Sequence, residues 1–85
     1  MNPYQNIHQE EGLIIREFSE SVDPIDLMWH RDLKTRAISS DSETDWQIQL
    51  ENELPTFITE NIIPALMWHR IIKGSGNLVL NIREW

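Results

Sequence analysis

Eighty-five residues, no cysteine, and fourteen acidic side chains against seven basic ones give a net charge of −7. That balance repels phosphate backbones and anionic bilayers at long range, so neither nucleic acid nor a membrane is an expected partner. The lack of cysteine excludes a disulfide framework, a thiolate metal site and a cysteine nucleophile, and it is compatible with the cytoplasmic location expected here.

A chain of this length supports one core and buries only roughly 60% of the surface its unfolded form exposes. Four tryptophans and a set of Ile, Leu and Met residues must therefore supply most of the stabilisation, and association into a homo-oligomer is expected to add to it. No apolar run approaches the roughly 20 residues of a membrane-spanning helix. Residues 1–12 lack the apolar stretch of a secretory signal.

In chain order, residues 1–11 are polar and without period, which predicts a loosely held N-terminal arm ahead of a single domain over 12–85. Leu13, Ile14, Ile15 and Phe18 around Arg16 and Glu17 predict a first strand. The Asp23-Pro24 pair marks a connection, because proline lacks an N–H and restrains the residue before it. Residues 36–39 and 46–50 flank a run of Ser, Asp, Glu and Thr, the pattern of a hairpin. Trp46, Ile48 and Leu50 alternate with Gln47 and Gln49, the period of a half-buried strand.

Pro55 and Pro64 bracket a segment with Phe57, Ile58, Ile62 and Ile63. An amphipathic helix over 50–63 competes with extended structure there, although Pro55 lies within it. Residues 68–73 and 78–82, joined through Gly74 and Gly76, predict a second hairpin. The total is an all-β domain of about seven or eight short strands, a sandwich or barrel.

The pentapeptide Leu-Met-Trp-His-Arg occurs at 27–31 and again, unchanged, at 66–70. If both copies are strands, Met28, His30 and Asp32 share one face, Met67 and His69 occupy the matching face of the second copy, and the tryptophans point away. His30, Asp32 and His69 are the residue types of a two-histidine, one-carboxylate metal triad, with neutral nitrogens as ligands and a carboxylate to supply charge. Histidines between tryptophan and arginine also suit a buried, hydrogen-bonded core, and a metal-free polar pocket is a third reading of the same residues.

At this point the sequence resembles the cupin superfamily of small β-barrels. Pro64 and His69 fall in register with its second motif, PxGxxH, and His30 and Asp32 stand where the first motif has HxH. Leu66 occupies the motif glycine, Arg36 lies near the motif glutamate, and Asp32 replaces the second histidine. The resemblance implies a jelly-roll barrel that holds one divalent transition metal (Fe, Mn, Ni or Zn) on His30, Asp32 and His69.

Arg36, Trp46, Met28 and Met67 are the residues expected around a ligand, and a small anionic molecule is the expected class. Five of the seven basic residues (Arg31, Lys34, Arg36, Arg70 and Lys73) lie in or just after the pentapeptides, which predicts a local positive rim. No nucleophile elbow, phosphate loop or dinucleotide fingerprint is present, so no catalytic residue is assigned. The competing function is a non-catalytic binding or structural module that assembles through Trp and Met surfaces.

Overall fold

A computed structural model describes residues 2–85 of the chain. Among the described residues are eight strands: β1 (Gln5–Glu10), β2 (Leu13–Phe18), β3 (Arg36–Ser40), β4 (Gln47–Leu50), β5 (Thr56–Phe57), β6 (Glu60–Ile63), β7 (His69–Ile72) and β8 (Leu78–Glu84). They form two antiparallel sheets, a five-stranded one in the order β1-β2-β8-β3-β6 and a three-stranded one in the order β5-β4-β7.

Alternation decides what each strand buries. Ile14, Arg16 and Phe18 of β2 are buried, as are Leu78, Leu80 and Ile82 of β8, while their neighbours are half-exposed. Ile38, Ile48, Ile63 and Ile71 join them from the other strands. Trp46 is fully buried among these side chains, and its Nε1–H donates to the carbonyls of Ser75 and Gly76 at 3.2 and 3.1 Å. Only two charged or polar residues are buried among those described, Arg16 and His69, and both line the cavity considered below.

Three expectations about local structure change. Residues 5–10, expected within a loose arm, form an edge strand paired with β2, with every side chain exposed. Backbone pairing drives this, so side-chain periodicity carried no sign of it. Neither expected hairpin forms: β3 pairs with β6 and β8, and β7 pairs with β4. The turn-rich runs after β3 and after β7 instead carry the chain from one sheet to the other.

Those two crossings dock on one another. Asp45 accepts from the Ser75 backbone N–H and hydroxyl, both at 2.8 Å, and Asn81 donates to Asp41. The helical alternative over 50–63 is replaced by turns and the short strands β5 and β6. Glu53 N–H donates back to Leu50, and Asn52 takes a positive φ of 63°. Apart from one 3-10 turn at Pro24–Asp26, no helix is present among the described residues, and none is long and apolar enough to cross a membrane.

Candidate metal and ligand site

The repeated pentapeptide is not two equivalent strands. The second copy runs into β7, whereas the first lies in an irregular segment and joins the sheet through one bridge, His30 to His69. At that bridge His30 N–H donates to His69 C=O at 3.0 Å and His69 N–H returns to His30 C=O at 2.9 Å. The imidazoles lie on one side with centroids 4.2 Å apart. Arg31 covers the Trp68 ring and Arg70 covers the Trp29 ring, at 5.2 and 4.9 Å from their centroids.

The geometry leaves both Nε2 atoms able to coordinate a metal ion. Nδ1 of His30 lies 3.0 Å from the Met28 carbonyl, and Nδ1 of His69 lies 2.8 Å from the Met67 carbonyl. A carbonyl can only accept, so each Nδ1 carries a proton, and the neutral form of each ring has its lone pair at Nε2. Burial pushes the His69 imidazole below its ordinary range, with the Met67 contact opposing that and the nearby His30 adding to it.

Asp32 completes the group. One potential ligand atom from each of His30, Asp32 and His69 lies within 4.8 Å of the others. Asp32 Oδ2 is 3.3 Å from His69 Nε2 and 3.2 Å from an Arg36 terminal nitrogen, yet this buried oxygen makes no hydrogen bond. A carboxylate oxygen facing an imidazole lone pair is repulsive unless a proton or a metal cation lies between them. The donor set and the unsatisfied oxygen therefore fit a divalent ion, with the Met28 and Met67 carbonyls orienting the histidines as outer-shell partners do.

The turn before β7 holds the Asp32 backbone. Met67 N–H closes on Pro64 C=O at 3.1 Å, and Leu66 N–H donates to Asp32 C=O at 2.7 Å. Leu66 has a φ of +65°, a region that glycine enters freely and leucine does not. The position where the resemblance calls for glycine thus keeps a left-handed backbone with a leucine in it.

The group sits on a cavity of about 300 Å³. Its walls combine Phe18, Ile38, Ile63, Ile71, Leu80 and Ile82 with Arg16, Asp26, Asp32 and Arg36. Arg36 is tied down by two carboxylates, with Nε donating to Glu84 at 2.7 Å besides its contact with Asp32.

Of the expected ligand contacts, Arg36 and Met28 line this cavity. Met67 packs against the core, and Trp46 is buried beside the crossing connections and is not on the cavity wall. Arg16 lines the cavity but was not among the expected site residues. The signal available for it was a charged residue at the inward position of an otherwise apolar alternation, Ile14-x-Arg16-x-Phe18.

No protein-family model matches this sequence, and no curated protein matches it. Solved structures do. A chain from a structure described as the DMSP lyases RdDddP and RnDddQII matches with a TM-score of 0.71 at 15% identity, covering 85% of this chain and 36% of that one. A provisionally named mannose-6-phosphate isomerase from Ralstonia eutropha JMP134 matches at 0.63 and 16% identity, covering 95% of this chain and 81% of that one. Protein NMB1881 from Neisseria meningitidis matches at 0.59 and 11% identity, covering 95% and 80%.

What is shared is a cupin-like fold. This chain spans about a third of the first of these structures, whose full length includes much that the cupin-like unit here does not. Identities this low carry the architecture and leave the chemistry to be argued from this chain's own side chains.

Proposed function

We propose that this cupin-like protein is a metal-binding protein whose site opens on the cavity, with His30, Asp32 and His69 holding one divalent transition metal. The observation that carries the reading is the buried Asp32 oxygen without a hydrogen bond, set against two imidazoles whose Nδ1 protons are committed to backbone carbonyls. A bound divalent ion supplies Lewis acidity toward a ligand oxygen. The chain's own groups orient the histidines, hold Asp32 against Arg36 and surround the ligand with apolar walls. Iron, manganese, nickel and zinc all suit a nitrogen and oxygen donor set of this kind.

Element analysis of purified protein, and of protein incubated with each ion, tests the reading. The expected result is near-stoichiometric metal in the parent chain and loss of it in His30→Ala and His69→Ala. A parent chain that takes up none of these ions overturns it.

A second reading, self-association, is favoured by exposed apolar side chains near the pentapeptides: Met28, Leu33 and Leu66 are more than half exposed, and Trp29 and Trp68 about 40%. Patches of this kind mark interaction surfaces. Sedimentation should show a homo-oligomer that dissociates in Trp29→Ala/Trp68→Ala. A monomeric parent chain rules the reading out.

A further inference from the structure

Arg16 is a buried cation with no carboxylate in contact among the described residues; Asp32 and Glu84 act on it only through space, against the larger effect of burial. It sits at an inward position of β2 between Ile14 and Phe18, 9% exposed, on the wall of the cavity. Its Nε donates to the Asn6 side chain at 2.8 Å, and its guanidinium carbon lies 3.7 Å from the Tyr4 ring centroid. These contacts hold the group in place without neutralising it, and among the described residues no carboxylate forms an ion pair with it.

Arg36, the other arginine on the wall, is claimed by Asp32 and Glu84. A guanidinium stays protonated in proteins, so burying one beside an open cavity is costly unless an anion enters.

We infer that the cavity binds a small monocarboxylic acid with an apolar body, its carboxylate paired with the guanidinium of Arg16. Contact geometry limits the valence. Arg36 is already paired with Asp32 and Glu84, so Arg16 is the one arginine of the wall open to a single carboxylate, while a dianion would add charge to a wall whose two aspartates already match its two arginines. The planar fork of arginine matches a carboxylate in two parallel hydrogen bonds. Shape sets the rest of the ligand: Phe18, Ile38, Ile63, Ile71, Leu80 and Ile82 offer an apolar surface for a short hydrocarbon chain.

This inference rests on the cavity being the ligand site proposed above, and not on whether a metal is loaded. Butyrate and hexanoate are the probes, with 1-butanol and inorganic phosphate as controls, followed by calorimetry and by NMR shifts of the Arg16 Nε–H and the Ile15 and Glu17 amides. The expected result is saturable carboxylate binding, one per chain, at least about tenfold tighter than butanol or phosphate, with shifts centred on Arg16.

Arg16→Met should weaken carboxylate binding about tenfold to hundredfold and leave metal content unchanged. Parent chain stripped of metal with a chelator should keep carboxylate binding. Equal affinity for butanol, tighter binding of phosphate, no saturable shift at Arg16, or an Arg16→Met variant that binds butyrate as the parent does overturns the inference. If Arg16→Met fails to fold, the shifts in the parent chain decide the question alone.

Discussion

His30 and His69 exchange both backbone hydrogen bonds, at 3.0 and 2.9 Å, so the two pentapeptide copies meet about a local two-fold centred between them. In an antiparallel bonded pair the flanking residues cross over and project from the opposite face. Trp29 therefore meets Arg70 and Arg31 meets Trp68, away from the cavity that the imidazoles border. A repeat of five residues thus produces two histidine donors on one side of the backbone and two cation–aromatic stacks on the other.

Those stacks should be energetically equivalent. Double-mutant cycles for Trp29→Ala with Arg70→Ala, and for Trp68→Ala with Arg31→Ala, are expected to give coupling energies of about 0.5–1 kcal/mol each at these partly exposed sites. Chemical denaturation measures them. A cycle near zero in one pair alone would show that the geometric symmetry is not an energetic one.

Leu66 is expected to respond to substitution opposite to the usual order. With φ at +65° and the side chain 52% exposed, Leu66→Gly removes left-handed strain of about 1–2 kcal/mol and loses little packing. Greater unfolded-state entropy offsets part of this, leaving a gain of about 0.5 kcal/mol. Leu66→Val, β-branched at the same φ, should lose about 1 kcal/mol or more. Thermal melts of the two variants, run together, check the ordering.

The docked crossings carry an acid-sensitive contact. Hydrogen bonds from the Ser75 backbone and then its hydroxyl hold the Asp45 carboxyl below its ordinary value. A lowered folded-state pKa means that the contribution is present above the ordinary aspartate value, near 3.8, and is lost as pH falls through the folded one. Stability of Asp45→Asn should therefore converge with that of the parent chain on acidification below about pH 4, and urea midpoints across that range measure it. Gly74→Ala should weaken the same junction at every pH, because a Cβ there meets the Asp45–Trp46 backbone at 2.6 Å.

Trp46 distinguishes a core role from a ligand role. Trp46→Phe removes a fully buried indole and leaves the Ser75 and Gly76 carbonyls without that donor, so a stability loss of about 2 kcal/mol or more is expected. Metal content and butyrate affinity of the folded variant should match the parent chain, as Trp46 is not on the cavity wall. A changed affinity at unchanged stability would return Trp46 to the ligand.

The all-β class and the apolar face of β4 were legible in the sequence, because period-two alternation is a local property that survives any choice of partner strand. That the repeated pentapeptide brings His30 and His69 together was expected from its rarity, but as two strands; the first copy is instead irregular and joined by a single bridge. Tertiary structure alone decided the rest. Which strands pair depends on how the chain crosses between sheets, and turn residues look the same in a hairpin and in a crossover, so β3 and β7 were assigned the wrong neighbours.

Arg16 shows the limit most clearly. Its inward position on β2, and the lack of a carboxylate in contact with it, emerge only once the strands pair and Asp32 and Glu84, distant in sequence, converge on Arg36. The triad's residue types could be read from the sequence. The tautomers that leave both Nε2 atoms able to coordinate a metal ion, and the unsatisfied Asp32 oxygen beside them, depend on carbonyl positions that only the folded backbone sets.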